Sequence, residues 1–395
     1  LPDTEKPMHE LIDRVKKSWR DRFSGEPAVV AAAPGRVNLI GEHTDYSGGF
    51  VFPAAINRAI VIALSVSGEG IVRGVSLDFG EEAECVVGNY DPRHPSGWFR
   101  YVMGVLSELE KAGIRTPGFN FTLAGDIPAG SGLSSSAALE TAVLTGIEGL
   151  MGFRMKDSEA ARLCQRAENL FVGVNCGIMD QLISRSGRKN SALFIDCADL
   201  SMTTVPASLA GAVWVVVNSK KQRGLVNTEY NRRRSECEEA LRIARERFPE
   251  RGMANLRGVA LTDLPELRSA CPDSVFRRLR HVVTENDRVV KAVEALRAED
   301  APRMGALLAG SHASLRDDFE VSCAELDRLV DILSETPGVH GARLTGAGFG
   351  GCVIALAERS ALDVLTERVL AGYRPPPPAE HADIWPVKPS ERSEE

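Results

Sequence analysis

The sequence lacks the features that mark nucleic-acid-binding, membrane-spanning and disulfide-rich proteins. It contains no block of Lys and Arg, and its net charge of −7 gives no electrostatic attraction to nucleic acid or to an acidic membrane. No apolar run approaches the roughly 18 residues that a membrane span requires. The eight cysteines include no C-x-x-C pair, so we expect reduced thiols rather than a disulfide framework or a zinc site.

The composition and the length are those of a globular protein. Of the 395 residues, 44% are hydrophobic and 26% are charged. A chain of this length is expected to form two domains or one elaborate domain. Residues 1–10 carry charges of both signs and no apolar stretch typical of a secretory signal, so we expect a cytoplasmic protein.

Hydrophobic periodicity predicts a mixed α+β fold in two halves that meet near residues 205–211. The first half is predicted to contain helices at 8–23, 98–112, 134–151, 157–171 and 179–186, and strands at 29–33, 56–66, 71–79, 119–124 and 192–197. The second half is predicted to contain strands at 212–218, 340–345, 352–356 and 383–387, a helix at 228–248 and several helices between 274 and 334. The prolines of "RPPPP", residues 374–378, predict an extended connector before the last strand.

Four polar side chains follow a short apolar run in "GRVNLIGEHTDYSGG", residues 35–49. The run at 37–40 is interrupted only by Asn38 and would serve as a buried strand, yet Glu42, His43, Asp45 and Tyr46 come directly after it. So many hydrogen-bonding groups at the end of a strand indicate a function beyond packing.

The stretch "IPAGSGLSSSAALE", residues 127–140, predicts an anion site. Gly130 and Gly132 allow the backbone to approach a ligand, and Ser134 begins a run of three serines at the start of a helix. The unpaired N–H groups and the positive dipole of a helix N-terminus favour phosphate. The stretch is not a Walker A loop, because no Gly-Lys-Ser/Thr closes it, and a Ser-capped helix after a simple turn is the structural alternative.

Two further stretches contain glycine turns with polar neighbours. Four glycines within six residues of "RLTGAGFGGCVIAL", residues 343–356, indicate a backbone pressed against a ligand or another loop, with a bulged hairpin as the alternative. In "AENLFVGVNCGIMDQ", residues 167–181, Glu168 and Asp180 flank a turn, and Asp180 could simply cap the following helix.

Together these stretches resemble the galactokinases of the GHMP kinase superfamily. "GRVNLIGEHTDY" is similar to the galactokinase signature almost residue for residue, "GSGLSSSAA" to the superfamily's ATP loop, and "LTGAGFGGC" to its third motif. Four other segments match galactokinase patterns: "CGIMDQ", "NTEYNRRR", "RHVVTEN" and "SHASLRDDFEVSCAELD". The resemblance covers about residues 29–357, and three motifs in order are far more specific than one glycine loop.

The resemblance implies ATP-dependent phosphorylation of the anomeric hydroxyl of D-galactose to galactose 1-phosphate, the first step of galactose use in the Leloir pathway. Asp180 matches the family's catalytic carboxylate, and the sequence leaves open whether it is a true base or an electrostatic anchor. Arg36 matches the arginine beside it, where a fixed cation would stabilise the transferring phosphoryl group. Mg²⁺ would be held by Ser136 and Glu168, since hard oxygen ligands suit that ion. The residues implied at the nucleotide are Ser76, Gly130, Ser131, Gly132, Leu133, Ser134, Ser135 and Ser136.

The polar end of residues 35–49 becomes the sugar site in this interpretation. A hexose offers hydroxyls that donate and accept, and telling epimers apart requires acceptors fixed in space. The residues implied at the sugar are Glu42, His43, Thr44, Asp45, Gly177 and Tyr230. His281 and His312 lie in matching segments and are interpreted as structural.

The fold implied is the two-domain GHMP kinase fold, an α+β architecture with the active site in the interdomain cleft. An N-terminal domain like ribosomal protein S5 domain 2 is expected at residues 1–207, and a ferredoxin-like C-terminal domain at 208–395, whose last strand could pack back on the first domain. Galactose and ATP are the expected partners, without nucleic acid or membrane, and a monomer is expected. The alternatives are a kinase for N-acetylgalactosamine or arabinose, or a non-catalytic galactose sensor.

Overall fold

The computed structural model describes residues 6–222 and 226–394. The outer domain limits predicted at residues 1 and 395, and the first five residues of the polar N-terminal segment, lie outside the described residues. The first half of the chain contains α1 (Lys6–Arg22), β1 (Val29–Asn38), β2 (Phe50–Val51), β3 (Pro53–Val66), β4 (Ile71–Ser76), β5 (Glu81–Val86), α2 (Gly97–Lys111), β6 (Phe119–Gly125), α3 (Ser135–Met151), α4 (Asp157–Arg166), α5 (Met179–Ser186), β7 (Ser191–Asp196) and β8 (Ser201–Pro206).

The second half is richer in helix. It contains β9 (Ala212–Asn218), α6 (Val226–Arg247), α7 (Leu264–Ala270), α8 (Asp273–Arg297), α9 (Ala301–Asp317), α10 (Ala324–Ser334), β10 (Val339–Thr345), β11 (Cys352–Glu358), α11 (Leu362–Gly372), β12 (Asp383–Val387) and β13 (Ser393–Glu394).

A six-stranded sheet in the order β13-β1-β3-β6-β4-β5 forms the frame of the first half. All ten residues of β1 are buried, because helices cover both faces of this part of the sheet. Val30 and Ala32 pack in one cluster with Trp19 of α1, whereas Ala31 and Ala33 belong to the larger core that includes α3. The alternation follows from the two-residue period of a strand.

An irregularity in β1 positions the first functional side chain. The pairing with β3 shifts register between Pro34 and Arg36, as in a β-bulge. A β-carbon on Gly35 would lie 2.6 Å from the Leu133 carbonyl oxygen, and the Arg36 N–H donates to that same oxygen at 3.0 Å. Glycine at position 35 therefore allows β1 to contact the loop before α3.

The second half contains an antiparallel four-stranded sheet in the order β10-β11-β9-β12. Its strands alternate with helices in the sequence β9, α6–α10, β10, β11, α11, β12, which is the βαββαβ arrangement of a ferredoxin-like domain. This confirms the ferredoxin-like fold expected for the second half. A third sheet has the order β2-β7-β8. In it, the strand that follows residues 35–49 pairs with the first strand after α5.

The end of the chain corrects one expectation. The strand predicted at 383–387 is β12, and it pairs with β9 in the C-terminal sheet rather than with the first half. The segment that returns is β13, which pairs with β1. The Ser390 N–H also donates to the Ala55 carbonyl at 3.0 Å, so the tail runs along the N-terminal sheet.

Most predicted elements are confirmed, and three (179–186, 212–218 and 383–387) have the observed bounds. The helix predicted at 157–171 is wrong at its end, because α4 stops at Arg166 and a π-helical turn, Ala167–Val172, follows. Strands β5 and β8 are missing from the prediction. Most of their residues are exposed and half are polar, so neither segment carries the apolar signal of a buried strand.

Candidate active site

One cavity of about 280 Å³ brings the sequence motifs together. Its wall includes most of the residues predicted at a site: Arg36, Glu42, His43, Asp45, Gly130, Gly132, Ser134, Ser135, Ser136, Glu168, Gly177, Asp180 and Tyr230. These residues come from β1 and its following segment, the loop before α3, the turns around α5, and α6. Both halves of the chain therefore contribute to a single site.

A two-point ion pair of Arg36 and Asp180 forms part of the cavity wall. Arg36 donates from Nε to Asp180 Oδ1 and from Nη2 to Oδ2, both at 2.9 Å, and its Nη1 donates to the Gly132 carbonyl at 2.5 Å. The Ser134 hydroxyl donates to the same Asp180 oxygen as Nη2. Such fork-like pairing fixes a carboxylate in direction as well as in position. Asp180 stands in the first turn of α5 and is held from two sides.

The loop before α3 has the geometry expected of an anion site. Gly130, Gly132 and Ser134 have φ angles of 68°, 76° and 63°, and α3 begins directly after Ser134. The left-handed conformation is easy for glycine and unfavourable for serine, so the Ser134 contact with Asp180 helps to hold the turn. Ser135 and Ser136 line the cavity at the start of the helix, where backbone N–H groups lack helical acceptors.

Glu168 is presented to this loop by the π-helical turn at the end of α4. The Ser136 hydroxyl lies near its carboxylate and favours the ionised form, which lowers the pKa of Glu168 in part against the effect of burial. Gln181 Nε2 donates to Glu168 Oε2 at 2.7 Å, and the Cys176 thiol donates to the same oxygen at 3.4 Å. Short π-helical insertions are frequent at functional sites because they redirect one side chain.

The donors around Glu168 fit a magnesium ion bound together with phosphates. Mg²⁺ is commonly held by one or two carboxylates plus substrate phosphate oxygens, not by an all-protein cage. Glu168 and Ser136 offer one carboxylate and one hydroxyl beside the anion loop. Within residues 6–222 and 226–394, no group of three or more His, Cys, Asp or Glu is arranged to hold a metal by itself.

A further part of the cavity wall is formed by Glu42, His43 and Asp45 after β1, Gly177 before α5, and Tyr230 on α6. Glu42 is 2% exposed, and its carboxylate accepts hydrogen bonds from the Asn38 amide, the Thr345 hydroxyl and the Gly346 N–H. A carboxylate has about four acceptor positions, so capacity for a ligand remains.

The ring nitrogens of His43 are hydrogen-bonded to protein groups. Both ring nitrogens of His43 are engaged, Nδ1 with the Tyr46 hydroxyl at 2.9 Å and Nε2 with the Ala347 carbonyl at 3.2 Å. A carbonyl only accepts, so Nε2 carries the proton. His43 therefore lines the cavity with both ring nitrogens bonded to protein, and its contact with the sugar stays a prediction.

Four other predicted residues are absent from the cavity wall that the described residues form: Thr44, Ser76, Ser131 and Leu133. The Thr44 hydroxyl lies 2.9 Å from the Gly41 carbonyl and 2.7 Å from the Phe50 carbonyl, so it holds the loop rather than a ligand. Ser76 and Ser131 are buried, and their hydroxyls have no hydrogen-bond partner among the described residues. Leu133 is a core residue.

Burial shifts the pKa values of the cavity groups away from their ordinary range. It raises the pKa of Asp45 from 3.8 to about 6 and that of Glu168 from 4.5 to about 7. It lowers the pKa of His43 from 6.5 to about 3, so the imidazole is neutral at pH 7. The pKa values of Glu42 and Tyr230 are also raised by burial. A cation beside Glu168 would favour its ionised form.

Sequence reasoning gave no role to several residues of the wall: Tyr46, Gly173, Val174, Asn175, Cys176, Met179, Asn231 and Ala347. Asn231 adjoins Tyr230 in the segment "NTEYNRRR", and Ala347 lies in the glycine turn between β10 and β11. Asn231 and Ala347 could have been predicted from their position beside recognised motifs. Asn227 of that segment has a side chain outside the described residues.

Comparison with known proteins first identifies the class of protein to which the chain belongs. Residues 100–188 match the GHMP kinases N terminal domain, and residues 292–374 match the GHMP kinases C terminal domain. The fold is also similar to that of the Methanococcus jannaschii mevalonate kinase, with a TM-score of 0.67 and 20% identity over 94% of this chain and 100% of the other. The fold and the site thus define a kinase of the GHMP class.

The family follows from closer matches. Residues 17–66 match the galactokinase galactose-binding signature. The chain is 44% identical to the galactokinase of Chloroflexus aggregans over 355 residues, which is 89% of this chain and 90% of the relative. A crystal structure of Lactococcus lactis galactokinase complexed with galactose aligns over 96% of this chain and 98% of the other, with a TM-score of 0.89 and 33% identity. The chain belongs to the galactokinase family, and it is therefore a kinase with ATP as its phosphoryl donor.

All eight cysteines are free thiols. No helix within the described part of the chain is long and apolar enough to cross a membrane.

Proposed function

We propose that the chain transfers the γ-phosphoryl group of ATP to the anomeric hydroxyl of D-galactose, giving galactose 1-phosphate and ADP. The observation that carries this proposal is the single cavity in which the Arg36–Asp180 pair lies between the serine loop and the acidic loop after β1. A phosphate donor at the first loop and a sugar at the second would meet at this pair. The Lactococcus lactis relative, solved with galactose, supports the choice of sugar.

Asp180 is proposed to accept the proton of the attacking hydroxyl as the P–O bond forms. Its two-point contact with Arg36 supports this role, because a base must be fixed in hydrogen-bond reach of the proton it takes. Arg36 would also stabilise the negative charge spread over the transferring group. Phosphoryl transfer requires mostly positioning and charge stabilisation, which these two side chains supply.

Glu168 and Ser136 are proposed to hold Mg²⁺. The ion, when bound, neutralises charge on the β- and γ-phosphates. The hydrogen bonds from Gln181 and Cys176 fix the Glu168 carboxylate in place, and such outer contacts orient ligands of this kind. Glu168→Gln should therefore raise the Mg²⁺ concentration needed for half-maximal rate, measured by titration at fixed ATP and galactose.

The sugar is proposed to bind Glu42, Asp45, the Gly177 backbone and the Tyr230 hydroxyl. Glu42 and Asp45 supply fixed acceptors, which is what discrimination between epimeric hydroxyls requires. No hydrogen bond of the Tyr230 hydroxyl is seen among the described residues, and its side chain lines the cavity. Gly177 packs directly against the Asp45 carboxylate, which supports a shared subsite.

We also propose a domain boundary at residues 207/208, a monomeric state and a cytoplasmic location. Residues 207 and 208 lie between β8 and β9, where one half of the chain gives way to the other. The free cysteines support a reducing compartment. Size-exclusion chromatography with light scattering would test the monomer.

The range of sugars that the protein phosphorylates tests the proposal directly. Purified protein with MgATP should release ADP on addition of galactose, at a kcat/KM at least about a hundredfold above those for glucose, arabinose and N-acetylgalactosamine. Preference for another sugar would reassign the substrate. Galactose binding without ADP release would indicate a sensor rather than an enzyme.

A further inference from the structure

Two side chains of α8 hydrogen-bond the backbone of the segment that carries the acidic sugar residues. This segment, residues 41–50, is called the sugar loop. Glu285 Oε1 accepts from the Gly41 N–H at 3.0 Å, and Asn286 Oδ1 accepts from the Phe50 N–H at 2.7 Å. The two contacts lie at opposite ends of the sugar loop, so α8 fixes where it begins and where it ends.

A third contact from α8 is made to Glu42, the residue after Gly41. His281 Nε2 lies 3.0 Å from the Glu42 carbonyl oxygen, and its Nδ1 lies 2.9 Å from the Ser314 hydroxyl. Because a carbonyl only accepts, Nε2 carries the proton and Ser314 donates to Nδ1. The imidazole is fully buried and thus links helix α9 through α8 to the backbone of Glu42.

Glu285 is itself anchored as an ionised acceptor. Its Oε1 also accepts from the Ser311 hydroxyl at 2.6 Å, and its Oε2 accepts from Arg288 Nε at 2.6 Å. Burial opposes ionisation, but Arg288 and other neighbouring cations outweigh it and lower the pKa of Glu285 to about 2. A charged acceptor makes a stronger hydrogen bond to a backbone N–H than a neutral one.

The sugar loop needs such support because its backbone is unusual. Gly41, His43 and Gly48 have φ angles of 101°, 60° and 66°. A residue other than glycine is strained in this left-handed region and persists there only when its surroundings determine it. His43 is the strained residue, and it stands between the two side chains proposed to bind the sugar, Glu42 and Asp45.

We propose that His281, Glu285 and Asn286 are positioning residues that hold the sugar loop in the conformation that binds galactose. None of the three lines the cavity, so they act through the loop and touch no substrate. The interpretation of His281 as a structural residue is thereby extended to a role in substrate affinity. The expected change in the KM for galactose rests on the proposed function, whereas the expected change in the conformation of the sugar loop does not.

The test compares Asn286→Ala with two other variants of the full chain. Asn286→Asp keeps an oxygen acceptor for the Phe50 N–H and serves as the rescue variant. Val293→Ala truncates a buried core residue of α8 that makes no hydrogen bond to the sugar loop, and it controls for general loss of stability. Each variant is examined by hydrogen exchange of peptides covering residues 38–52 without substrates, and by steady-state kinetics in galactose and in MgATP.

For Asn286→Ala we expect exchange in residues 38–52 at least about tenfold faster than in the wild type. The KM for galactose should rise about tenfold, as expected for one lost hydrogen bond, with kcat and the KM for ATP within about twofold. Asn286→Asp should recover most of both effects, and Val293→Ala should show neither.

Unchanged exchange in Asn286→Ala would overturn the inference, and so would a parallel change of both KM values. Faster exchange with an unchanged KM for galactose would also overturn it, since the loop position would then not matter for binding. If the wild type releases no ADP with galactose, the proposed function fails, and the exchange measurement still decides whether α8 holds the loop.

Discussion

Replacement of Asp180 by asparagine is the most informative single substitution in the site. The two side chains have nearly the same shape, but asparagine cannot accept a proton and offers one oxygen where aspartate offers two. In the structure, two guanidinium N–H groups of Arg36 and the Ser134 hydroxyl all donate to the Asp180 carboxylate. At least one of these donors would face an amide NH₂ group in the variant.

The expected fall in kcat of Asp180→Asn has two contributions. A positioned general base contributes typically about 10²–10⁴-fold to the rate. A hydrogen bond to a charged group contributes about 1.5–3 kcal/mol, and the Arg36 side chain is only 6% exposed, so water does not replace the lost partner well. We therefore expect kcat to fall by at least about 10³-fold in Asp180→Asn, while the Kd for galactose changes by less than about tenfold.

The assay couples ADP release to NADH oxidation, and galactose affinity is measured separately by calorimetry. Asp317→Asn is the matched control. Asp317 accepts from Arg316 Nε at 2.8 Å and Nη2 at 2.9 Å, the same two-point geometry, but the two side chains are 60% and 45% exposed. That variant should keep wild-type kcat. A kcat for Asp180→Asn within tenfold of the wild type would refute the reasoning and remove Asp180 from the mechanism.

Two further substitutions and one truncation test other parts of the structure. In Gly177→Ala a β-carbon would overlap the Asp45 carboxylate, so the KM for galactose should rise at least about tenfold with little change in that for ATP. Asp45→Asn should raise the Tm at pH 8 but not at pH 4, and should abolish turnover. Burial raises the pKa of Asp45 from 3.8 to about 6, so ionisation costs on the order of 2–3 kcal/mol of stability, a cost that grows from pH 4 to 6 and persists above it. Removing the chain after Lys388 takes away β13 and the ion pair of Arg154 with Glu394, and should lower the Tm by a few degrees without changing either KM.

Each of these expectations has a contrary outcome. Unaltered galactose kinetics in Gly177→Ala would separate that residue from the sugar site. A Tm gain in Asp45→Asn that is equal at pH 4 and pH 8 would show that Asp45 titrates normally in the folded protein. A truncated chain with an unchanged Tm would mean that the returning tail contributes nothing to stability.

The residues predicted at the site can be found from the sequence because they lie in short contiguous stretches. Glycines at 130 and 132 and the serines after them are adjacent in the chain, so their backbone geometry and helix-terminal position follow from local rules. The acidic residues after β1 and the carboxylate at 180 were likewise found by motif. Local patterns of this kind can be recognised from the sequence without knowledge of the tertiary structure.

What the sequence could not predict depends on contacts between distant residues. Glu42 is held by residues about 300 positions away, at Thr345 and Gly346, and His281 reaches its carbonyl across 239 positions. The engagement of both His43 nitrogens depends on the carbonyl of Ala347, which no local pattern reveals. These pairings fix the orientation of the side chains around the cavity.

One cavity is proposed to transfer the γ-phosphoryl group of ATP to the anomeric oxygen of galactose, with ADP as the leaving group. The direct measurement is ³¹P NMR of a mixture of the protein, MgATP and galactose, recorded as the reaction proceeds. The structure leads us to expect a galactose 1-phosphate resonance that grows in step with ADP and is missing with the Asp180→Asn variant. Phosphate on another hydroxyl, free inorganic phosphate, or no consumption of ATP would contradict the account.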